Sequence, residues 1–512
     1  MTIFALPKLI LHPQYVIGNK LIEKNFYMKY YILQLGCQMN ISDGERVQKV
    51  LESIGYEPTE DENEANIVGI IACSVRQKAI DKVYTRIKKW NKLKDKKNML
   101  TFVTGCVLPA DKKKFLKLFD LVFTMSELPK LSNMIRQYGI VTPVGMQSLD
   151  SDFENMLQQS KPDEEEADGN PLPMRSVQLP ASKKRKEIPR PDKGIEEFWH
   201  IEPKYGSGFE AYVPIQNGCN KFCTYCAVPY TRGREVSRSS ADILKEVRNL
   251  VENGFKSITL LGQNVNSYGL DKKGEELTFS ELLRHIGEIG NSTGNNFWLY
   301  FTSPHPQDMT DDVIEVIAKY KCLAKQIHLP VQSGDDAMLK RMNRSHDLAR
   351  YRHIVTTIRR LIPDATLFTD IIVGFTGETD EEFENTRKVM EEFKYNMAYI
   401  AQYSPRPGAA SHEWPDDIPV SVKKDRYHKL TEELMKHSLA YNQKMVGKTF
   451  KVLVRGKDRK PGYLSALTEG KIIVRFASED DSLIGDYVDV KVNSAVPFST
   501  EGELVKKLET VS

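Results

Sequence analysis

Residues 218–226 have the sequence Gly-Cys-Asn-Lys-Phe-Cys-Thr-Tyr-Cys, in which three thiols follow the spacing C-x3-C-x2-C. The thiolates of Cys219, Cys223 and Cys226 can surround one metal centre, and the motif supplies no fourth thiolate. An iron–sulfur cluster held by three cysteines leaves one iron free to bind a small molecule. A structural zinc site is the alternative, but zinc sites usually have four Cys or His ligands. We therefore predict an open iron–sulfur cluster here.

The length and composition of the chain limit the number of domains and the kinds of function to expect. Its 512 residues suggest about three domains, and 40% apolar residues suffice for large buried cores. The net charge of +3 means that any surface for nucleic acid must be local. Seven cysteines with motif-like neighbours indicate reduced thiols used as ligands, and hence a cytoplasmic location. No apolar run approaches the roughly 20 residues of a membrane helix, and residues 1–27 are predicted to be an N-terminal extension without a targeting signal.

Residues 28–145 predict an N-terminal α/β domain in which three strands are each followed by a helix. The strands are expected at Tyr30–Leu35, Ile67–Ala72 and Met99–Thr104, and Ser42 is expected to cap the first helix. Alternating β and α segments favour a parallel sheet with right-handed crossovers. The carboxyl ends of such strands share one edge, where ligands bind.

A cysteine follows each of these strands, at Cys37, Cys73 and Cys106. One buried cysteine at a strand end is usually a small hydrophobic residue. Three cysteines at the same topological position, 33 to 36 residues apart, are difficult to assign to packing. We predict that they converge at the sheet edge and hold a second cluster through three thiolates.

Residues 146–204 differ in composition from the rest of the chain. They contain the acidic run Asp163–Glu166, many prolines and the basic run Lys183–Lys186. Such composition is typical of a disordered linker or insertion. The basic run could alternatively contact RNA or serve as a nuclear-import patch.

Residues 205–443 predict a longer β/α series with six strands. These are expected at Ala211–Ile215, Ser257–Leu261, Phe297–Phe301, Gln326–Leu329, Leu367–Val373 and Met397–Tyr403. Polar or glycine residues follow the strands, and we predict that they form a cofactor pocket together with Tyr225 of the cysteine motif: Gln263, Asn264, Ser303, Gln332 and Gly374. Each could instead be ordinary turn chemistry, since Gly, Ser and Asn dominate loops. Cys322 precedes a strand and is expected to be a plain buried thiol.

Residues 446–509 change to the alternation of β-strands, with turns at Gly456, Pro461-Gly462 and Gly485. A small five-stranded barrel of roughly OB-like type fits this pattern, and such barrels often bind nucleic acid. Only the run Arg455–Lys460 is locally basic.

The chain resembles the radical S-adenosylmethionine (SAM) methylthiotransferases along nearly all of residues 28–512. Its motifs are most similar to those of the tRNA branch that makes 2-methylthio-N6-isopentenyladenosine. The resemblance rests on residues 36–40, 73–79, 219–238, 260–266, 328–334 and 403–408. The chain departs from the family in the 146–204 insertion, in Ala72 and in Thr376, where proline is usual; none of these touches an expected ligand.

The resemblance implies an α/β architecture: an N-terminal parallel α/β domain, a partial (β/α)6 radical SAM barrel and a C-terminal TRAM-like RNA-binding β-barrel. It implies two [4Fe-4S] clusters, with S-adenosyl-L-methionine bound at the open iron of the Cys219/Cys223/Cys226 cluster and cleaved there to a 5′-deoxyadenosyl radical. That radical would remove hydrogen from C2 of the adenine. The Cys37/Cys73/Cys106 cluster would then deliver a methylated sulfur to C2.

The implied partners are the anticodon arm of tRNA and an electron donor such as a flavodoxin or ferredoxin, with the enzyme acting as a monomer. Arg232, Arg234 and Arg238 could hold an RNA phosphate or the SAM carboxylate, or form structural salt bridges. Alternative substrates within the enzyme class are threonylcarbamoyladenosine in tRNA and a ribosomal-protein aspartate. A non-catalytic iron–sulfur RNA-binding protein is the alternative from another class, and it would need only one closed cluster.

Overall fold

The computed structural model describes residues 28–73, 77–94, 96–138, 194–294 and 296–507. The predicted N-terminal extension and most of the predicted linker lie outside these ranges. No helix in the described part of the chain is long and apolar enough to cross a membrane.

The N-terminal sheet is parallel throughout and has five strands in the order β2-β1-β3-β4-β5. Its strands are β1 Met28–Gln34, β2 Tyr56–Pro58, β3 Ile67–Cys73, β4 Leu100–Cys106 and β5 Leu121–Val122. Its helices are Gln38–Ser53, Gln77–Lys94, Pro109–Phe115, Leu131–Gln137 and Gly194–Trp199. Every residue of β3 is buried because helices cover both faces of the sheet.

The start of the first helix differs from the prediction. It begins at Gln38 with Cys37 in the N-cap position, so Ser42 is not its cap. The reason is the sharp turn at Gly36, whose φ of +118° redirects the chain immediately after β1. Ser42 is instead buried inside the helix, where its hydroxyl donates to the carbonyl oxygen of Tyr212 at 3.2 Å.

Residues at the end of the predicted linker contribute to the apolar core of the N-terminal domain. Ile195, Phe198 and Trp199 are buried in the same apolar cluster as Val47 and Leu51 of the first helix. The helix Gly194–Trp199 therefore packs against the N-terminal domain before the chain enters the second one.

The second domain contains the six predicted parallel strands in two three-stranded sheets, β6-β9-β10 and β11-β12-β13. The strands are β6 Glu210–Pro214, β9 Ser257–Leu261, β10 Trp298–Phe301, β11 Gln326–His328, β12 Thr366–Val373 and β13 Met397–Gln402. A parallel bridge links Leu299 of β10 to Leu323, which lies three residues before β11, so the two sheets follow one another in the curved wall of a partial barrel. A short antiparallel ribbon, β7 Gln216–Asn217 with β8 Val236–Ser237, closes the base of the cysteine loop.

The short helix Val228–Arg232 follows the cysteine loop and faces the N-terminal domain. The other helices of the second domain are Ser240–Glu252, Phe279–Ser292, Asp311–Lys319, Asp336–Arg341, Leu348–Leu361, Asp380–Phe393 and Val420–Gln443. Five of them start at a side-chain cap that accepts from a backbone N–H of the first turn: Ser239, Thr278, Asp335, Asp347 and Thr379. Cys322 is fully buried among the core residues of this domain, as expected.

The C-terminal segment forms a closed five-stranded barrel in the order β14-β15-β16-β18-β17. Its strands are β14 Thr449–Lys457, β15 Tyr463–Thr468, β16 Ile473–Ala477, β17 Tyr487–Val496 and β18 Ser499–Lys507. Closure leaves no exposed sheet edge. The predicted barrel is therefore confirmed.

The C-terminal barrel docks on the amino ends of the strands of the second domain. Trp298 and Tyr300 of β10 are buried together with Leu453 and Tyr487 of the small barrel, and the rings of Trp298 and Tyr487 meet edge to face at 4.7 Å. The hydroxyl of Tyr487 donates to the carbonyl oxygen of Lys256 at 2.8 Å. The small barrel thus closes the end of the wall opposite to the cysteines.

We predict that Tyr487→Ala destabilises the protein far more than Tyr487→Phe. The alanine variant leaves a cavity at the buried domain interface, at a cost of about 3–5 kcal/mol. The phenylalanine variant loses only one hydrogen bond, worth about 1 kcal/mol. The midpoint of thermal unfolding of each purified variant measures the difference. Equal midpoints would contradict the docking described here.

Candidate active site

The three cysteines of the N-terminal domain meet at the carboxyl edge of its sheet. Cys73 and Cys106 end the neighbouring strands β3 and β4 and are direct register partners. Cys37 follows β1 through Gly36, and its side chain is exposed. A Cβ atom added at Gly36 would lie 2.6 Å from Cβ of Cys73, so only glycine permits this approach.

Asn40 ties this edge together. It is buried, and its side-chain amide donates to the carbonyl oxygens of Leu35 at 2.6 Å and Ala72 at 2.7 Å. Its oxygen Oδ1 lies 3.7 Å from Sγ of Cys106. One side chain therefore fixes the ends of two strands and faces a thiol.

Arg232 reaches this triad from the other domain. It ends the short helix that follows the barrel's cysteine loop, yet its Nε donates to Sγ of Cys106 at 3.0 Å. Its Nη2 forms an ion pair with Asp43 at 2.5 Å and donates to Oδ1 of Asn40 at 3.3 Å. The side chains of Arg232 and Asp43 are 5% and 0% exposed.

The other two arginines that were considered as phosphate or carboxylate ligands have different surroundings. Arg238 forms a buried ion pair with Glu246 at 2.5 Å. It therefore has the structural salt bridge that was predicted as the alternative to anion binding. Arg234 is exposed.

The barrel's cysteines lie in the loop after β6. Gly218 begins the loop at φ +83°, and a Cβ atom there would lie 2.1 Å from the carbonyl oxygen of Arg234. Gln263, from the loop after β9, accepts from the backbone N–H of Gly218 at 2.6 Å. Backbone N–H groups of Lys221 and Val228 point at Sγ of Cys219 and Cys226, each at 3.5 Å.

Arg344 donates a hydrogen bond to a sulfur of the barrel triad, as Arg232 does to a sulfur of the N-terminal triad. Its Nη1 donates to Sγ of Cys223 at 3.4 Å and to the hydroxyl of Tyr225 at 3.5 Å. Its Nη2 donates to the carbonyl oxygen of Pro330 at 3.1 Å. Each triad therefore has one arginine hydrogen-bonded to one of its sulfur atoms.

The donor sets of both triads fit an iron–sulfur cluster. Burial raises the pKa of Cys106 to about 12 and that of Cys219 to about 11, so these thiols stay protonated at neutral pH unless a cation holds the thiolate. In the part of the chain that the structure describes, no three Cys, His, Asp or Glu side chains are arranged around a single metal ion. A four-iron cluster does not require such an arrangement, because each of its thiolates binds a different iron.

One cavity of about 640 Å³ connects the N-terminal triad with the interior of the barrel. Cys37, Cys73 and Cys106 line it at one end, together with Arg232. The carboxyl ends of β9 and β10 line it with Gln263 and Ser303. A molecule in this cavity therefore contacts both domains.

The predicted cofactor residues do not all lie in this cavity. Gln263 and Ser303 line it, whereas Tyr225, Asn264, Gln332 and Gly374 are not part of its wall. Tyr225 packs edge to face on Phe375, with ring centroids 6.4 Å apart.

The remaining three residues support the surrounding loops. The side-chain amide of Asn264 donates to Asp308 at 2.9 Å. The backbone of Gln332 pairs with β12, donating to the carbonyl oxygen of Asp370 at 2.9 Å. The N–H of Gly374 donates to Glu378 at 2.6 Å. Their assignment as SAM contacts remains a prediction.

Two buried histidines near Arg344 are functional candidates that sequence analysis missed. The rings of His305 and His346 are 5.5 Å apart, and neither Nε2 of His305 nor either ring nitrogen of His346 has a hydrogen-bond partner among the described residues. Burial lowers the pKa of His346 to about 3, so it is neutral at pH 7. His305 follows β10 directly after Ser303-Pro304, and its position at a strand's carboxyl end is the signal that could have found it.

The cavity is also lined by polar side chains from β11, β12, β13 and the C-terminal barrel. His328 lies 2.8 Å from Asp370, and the ring of Tyr399 packs on the imidazole at 5.8 Å. Lys471 reaches the cavity from the C-terminal barrel, with Nζ 4.1 Å from the ring centroid of Tyr300. Desolvation lowers the pKa of Lys471 to about 8. The small barrel is thus part of the cavity wall.

The parallel strands, the three-cysteine loop after the first of them and the cavity at their carboxyl ends define an iron–sulfur enzyme of the radical SAM type. Residues 29–125 match the model of the uncharacterized protein family UPF0004, residues 213–390 the radical SAM superfamily and residues 443–505 the TRAM domain.

Known relatives cover almost the whole chain. The tRNA-2-methylthio-N(6)-dimethylallyladenosine synthase of Clostridium perfringens is 37% identical over 95% of this chain and 100% of its own. That of Carboxydothermus hydrogenoformans is 37% identical over 93% of this chain and 99% of its own. A solved structure of the radical SAM methyltransferase TsrM from Kitasatospora setae covers 88% of this chain and 80% of its own, at 12% identity and a TM-score of 0.49. The chain belongs to the family of tRNA-2-methylthio-N(6)-dimethylallyladenosine synthases, within the radical SAM superfamily.

We predict that Gly36→Ala prevents iron from binding at Cys37, Cys73 and Cys106 and leaves iron binding at Cys219, Cys223 and Cys226 intact. The added methyl group collides with Cys73, and the positive φ adds backbone strain. Bound iron after anaerobic reconstitution should fall to about half. Gly254→Ala is the matched control, because Gly254 also has a positive φ, +81°, but nothing lies within 4 Å of its added Cβ. An equal iron content in both variants would contradict the close approach at Gly36.

Proposed function

We propose that this protein inserts sulfur and a methyl group at C2 of N6-isopentenyladenosine next to the anticodon of tRNA. The observation that carries the proposal is the cavity into which the N-terminal cysteines and the carboxyl ends of the barrel strands both open. A reaction that needs one centre to activate the substrate and another to donate sulfur requires such a shared space. The names of the relatives supply the substrate.

Both triads have the donor set for a [4Fe-4S] cluster, and the assignment of two clusters is part of the proposal. Cys219, Cys223 and Cys226 would hold the cluster that binds S-adenosyl-L-methionine, and Cys37, Cys73 and Cys106 the second. When bound, these groups supply electron transfer, hydrogen abstraction and the transferred sulfur.

The chain's own residues hold, orient and enclose the reacting groups. Backbone N–H groups of residues 221 and 228 and the guanidinium groups of Arg232 and Arg344 donate to thiol sulfurs, which stabilises thiolate charge. The apolar barrel core and the docked C-terminal barrel exclude water from the interior, so a reactive species is less exposed to side reactions. We also propose Gln263 and Ser303 as SAM contacts, since both line the cavity.

The tRNA would be held in part by the C-terminal TRAM domain. Three cations of the locally basic run Arg455–Lys460 are paired within the chain: Arg455 with Glu210, Lys457 with Asp481 and Lys460 with Glu501. Arg459 is exposed. An anticodon arm that reaches the cavity would pass Tyr399, whose ring is half exposed and suited to stack on a base.

The partners of the reaction complete the proposal. We infer that a flavodoxin or ferredoxin supplies the electrons, that the enzyme acts as a monomer, and that it works in a reducing, cytoplasmic compartment where its cysteines stay free. Threonylcarbamoyladenosine remains the alternative nucleoside substrate.

We predict that the two triads can be separated by mutation. Changing Cys219, Cys223 and Cys226 to alanine should abolish 5′-deoxyadenosine formation, because the proposed SAM-binding cluster is lost. Changing Cys37, Cys73 and Cys106 to alanine should leave 5′-deoxyadenosine measurable and stop methylthiolation. The assay measures 5′-deoxyadenosine and the methylthiolated nucleoside side by side in reconstituted protein.

Circular dichroism of both variants is the control for folding. If the Cys37/Cys73/Cys106 variant still methylthiolates tRNA at the wild-type rate, the N-terminal cluster is not the sulfur donor. If the Cys219/Cys223/Cys226 variant still forms 5′-deoxyadenosine, the assignment of SAM to the barrel is wrong.

A further inference from the structure

We propose that Arg232 and Asp43 form a charge pair that sets the reduction potential of the N-terminal cluster, with Arg232 raising it and Asp43 lowering it. This inference rests on the proposed cluster at Cys37, Cys73 and Cys106. Arg232 is in this view a positioning residue that acts through the sulfur of Cys106.

The geometry distinguishes Arg232 from an ordinary interdomain salt bridge. All three nitrogens of its guanidinium donate: Nε to Sγ of Cys106, Nη2 to Asp43 and Asn40, and Nη1 to Asp43 at 3.5 Å and Asn217 at 3.4 Å. The carboxylate of Asp43 therefore fixes the plane of the group so that Nε faces the thiol. Lysine, a single point donor, could not make these contacts together.

Burial strengthens the effect of the charges of Arg232 and Asp43 on the proposed cluster. Asp43 is fully buried and Arg232 nearly so, and interactions between charges are much stronger in a poorly polarisable interior than in water. Reduction adds negative charge to an iron–sulfur cluster. Hydrogen bonds to the ligand sulfurs and the net charge nearby help to set the potential, so a guanidinium on Cys106 favours the reduced form and a carboxylate beside it opposes reduction.

Arg232 also links this triad to the rest of the site. It follows Cys226 by six residues, and its backbone carbonyl accepts from the side-chain amide of Asn217 at 3.0 Å. The segment that carries the barrel's cysteines is therefore anchored, through this one side chain, on a sulfur of the other triad.

The test is a redox titration, followed by electron paramagnetic resonance, of the full-length chain with Cys219, Cys223 and Cys226 changed to alanine. The remaining cluster signal then belongs to the N-terminal triad. Arg232→Met should lower its potential and Asp43→Asn should raise it. We expect each to change the reduced-to-oxidised ratio at a fixed potential at least tenfold, about 59 mV for a one-electron couple.

The reduction potential is expected to shift in opposite directions in the two variants, and this distinguishes an electrostatic role of the pair from a structural one. Loosened packing would move both variants in the same direction, and that result, or no shift in either, would overturn the proposal. Arg238→Met is the matched control, because it breaks a similarly buried ion pair that touches no thiol, and it should leave the potential unchanged.

Arg232→Met leaves Asp43 as an unpaired buried charge, so this variant can lose its cluster. The double variant Arg232→Met/Asp43→Asn removes both charges and should fold, with a potential between those of the two single variants. If neither Arg232 variant binds iron, Asp43→Asn alone decides: a raised potential supports the proposal and an unchanged one overturns it. A parent chain that binds no iron at Cys37, Cys73 and Cys106 would instead reject the two-cluster function itself.

Discussion

The ion pair between Asp43 and Arg232 is the interaction on which the arrangement of the site depends. It lies between two domains, it is almost completely buried, and it places a cation on a sulfur of the N-terminal triad. Desolvating two charges is costly, and removing one partner of such a pair typically costs about 3–5 kcal/mol. A pair of this kind therefore contributes specificity of position: it holds the segment that follows the barrel's cysteines against the sheet edge where Cys37, Cys73 and Cys106 lie.

The C-terminal barrel takes part in the same construction. It binds to the amino ends of the radical SAM strands through Trp298, Tyr300 and Tyr487 and sends Lys471 into the cavity. The TRAM domain is thereby also part of the cavity wall. Its removal would expose apolar strand residues, so point substitutions are the better probes of its proposed role in RNA binding.

Much of the fold follows from patterns along the chain. The alternation of apolar strands and amphipathic helices predicts parallel sheets, and parallel sheets bring strand carboxyl ends together, which is why Cys37, Cys73 and Cys106 could be placed at one edge. The spacing of Cys219, Cys223 and Cys226 is local and predicts a cluster without knowledge of the fold. The start of the first helix was predicted wrongly, because the turn at Gly36 outweighs the capping preference of Ser42.

The contacts that complete the site could not be predicted in this way. Arg232 lies beside one triad in sequence and donates to the other in space, and Arg344 and Lys471 come from distant segments. The positions of such side chains depend on how the domains dock, and docking leaves no periodic pattern in the sequence. The sequence predicted two alternative roles for Arg232, an anion ligand or a structural salt bridge. The structure adds a third role, a hydrogen-bond donor to the thiol of a proposed cluster ligand.

The proposed reaction of this protein is the methylthiolation of isopentenyladenosine in tRNA. Mass spectrometry of nucleosides from tRNA of cells with and without this protein tests it most directly. Without the protein, 2-methylthio-N6-isopentenyladenosine should disappear and N6-isopentenyladenosine should accumulate, and wild-type protein supplied in trans should restore the balance. An unchanged nucleoside profile, or loss of the methylthiolated threonylcarbamoyladenosine instead, would contradict the account.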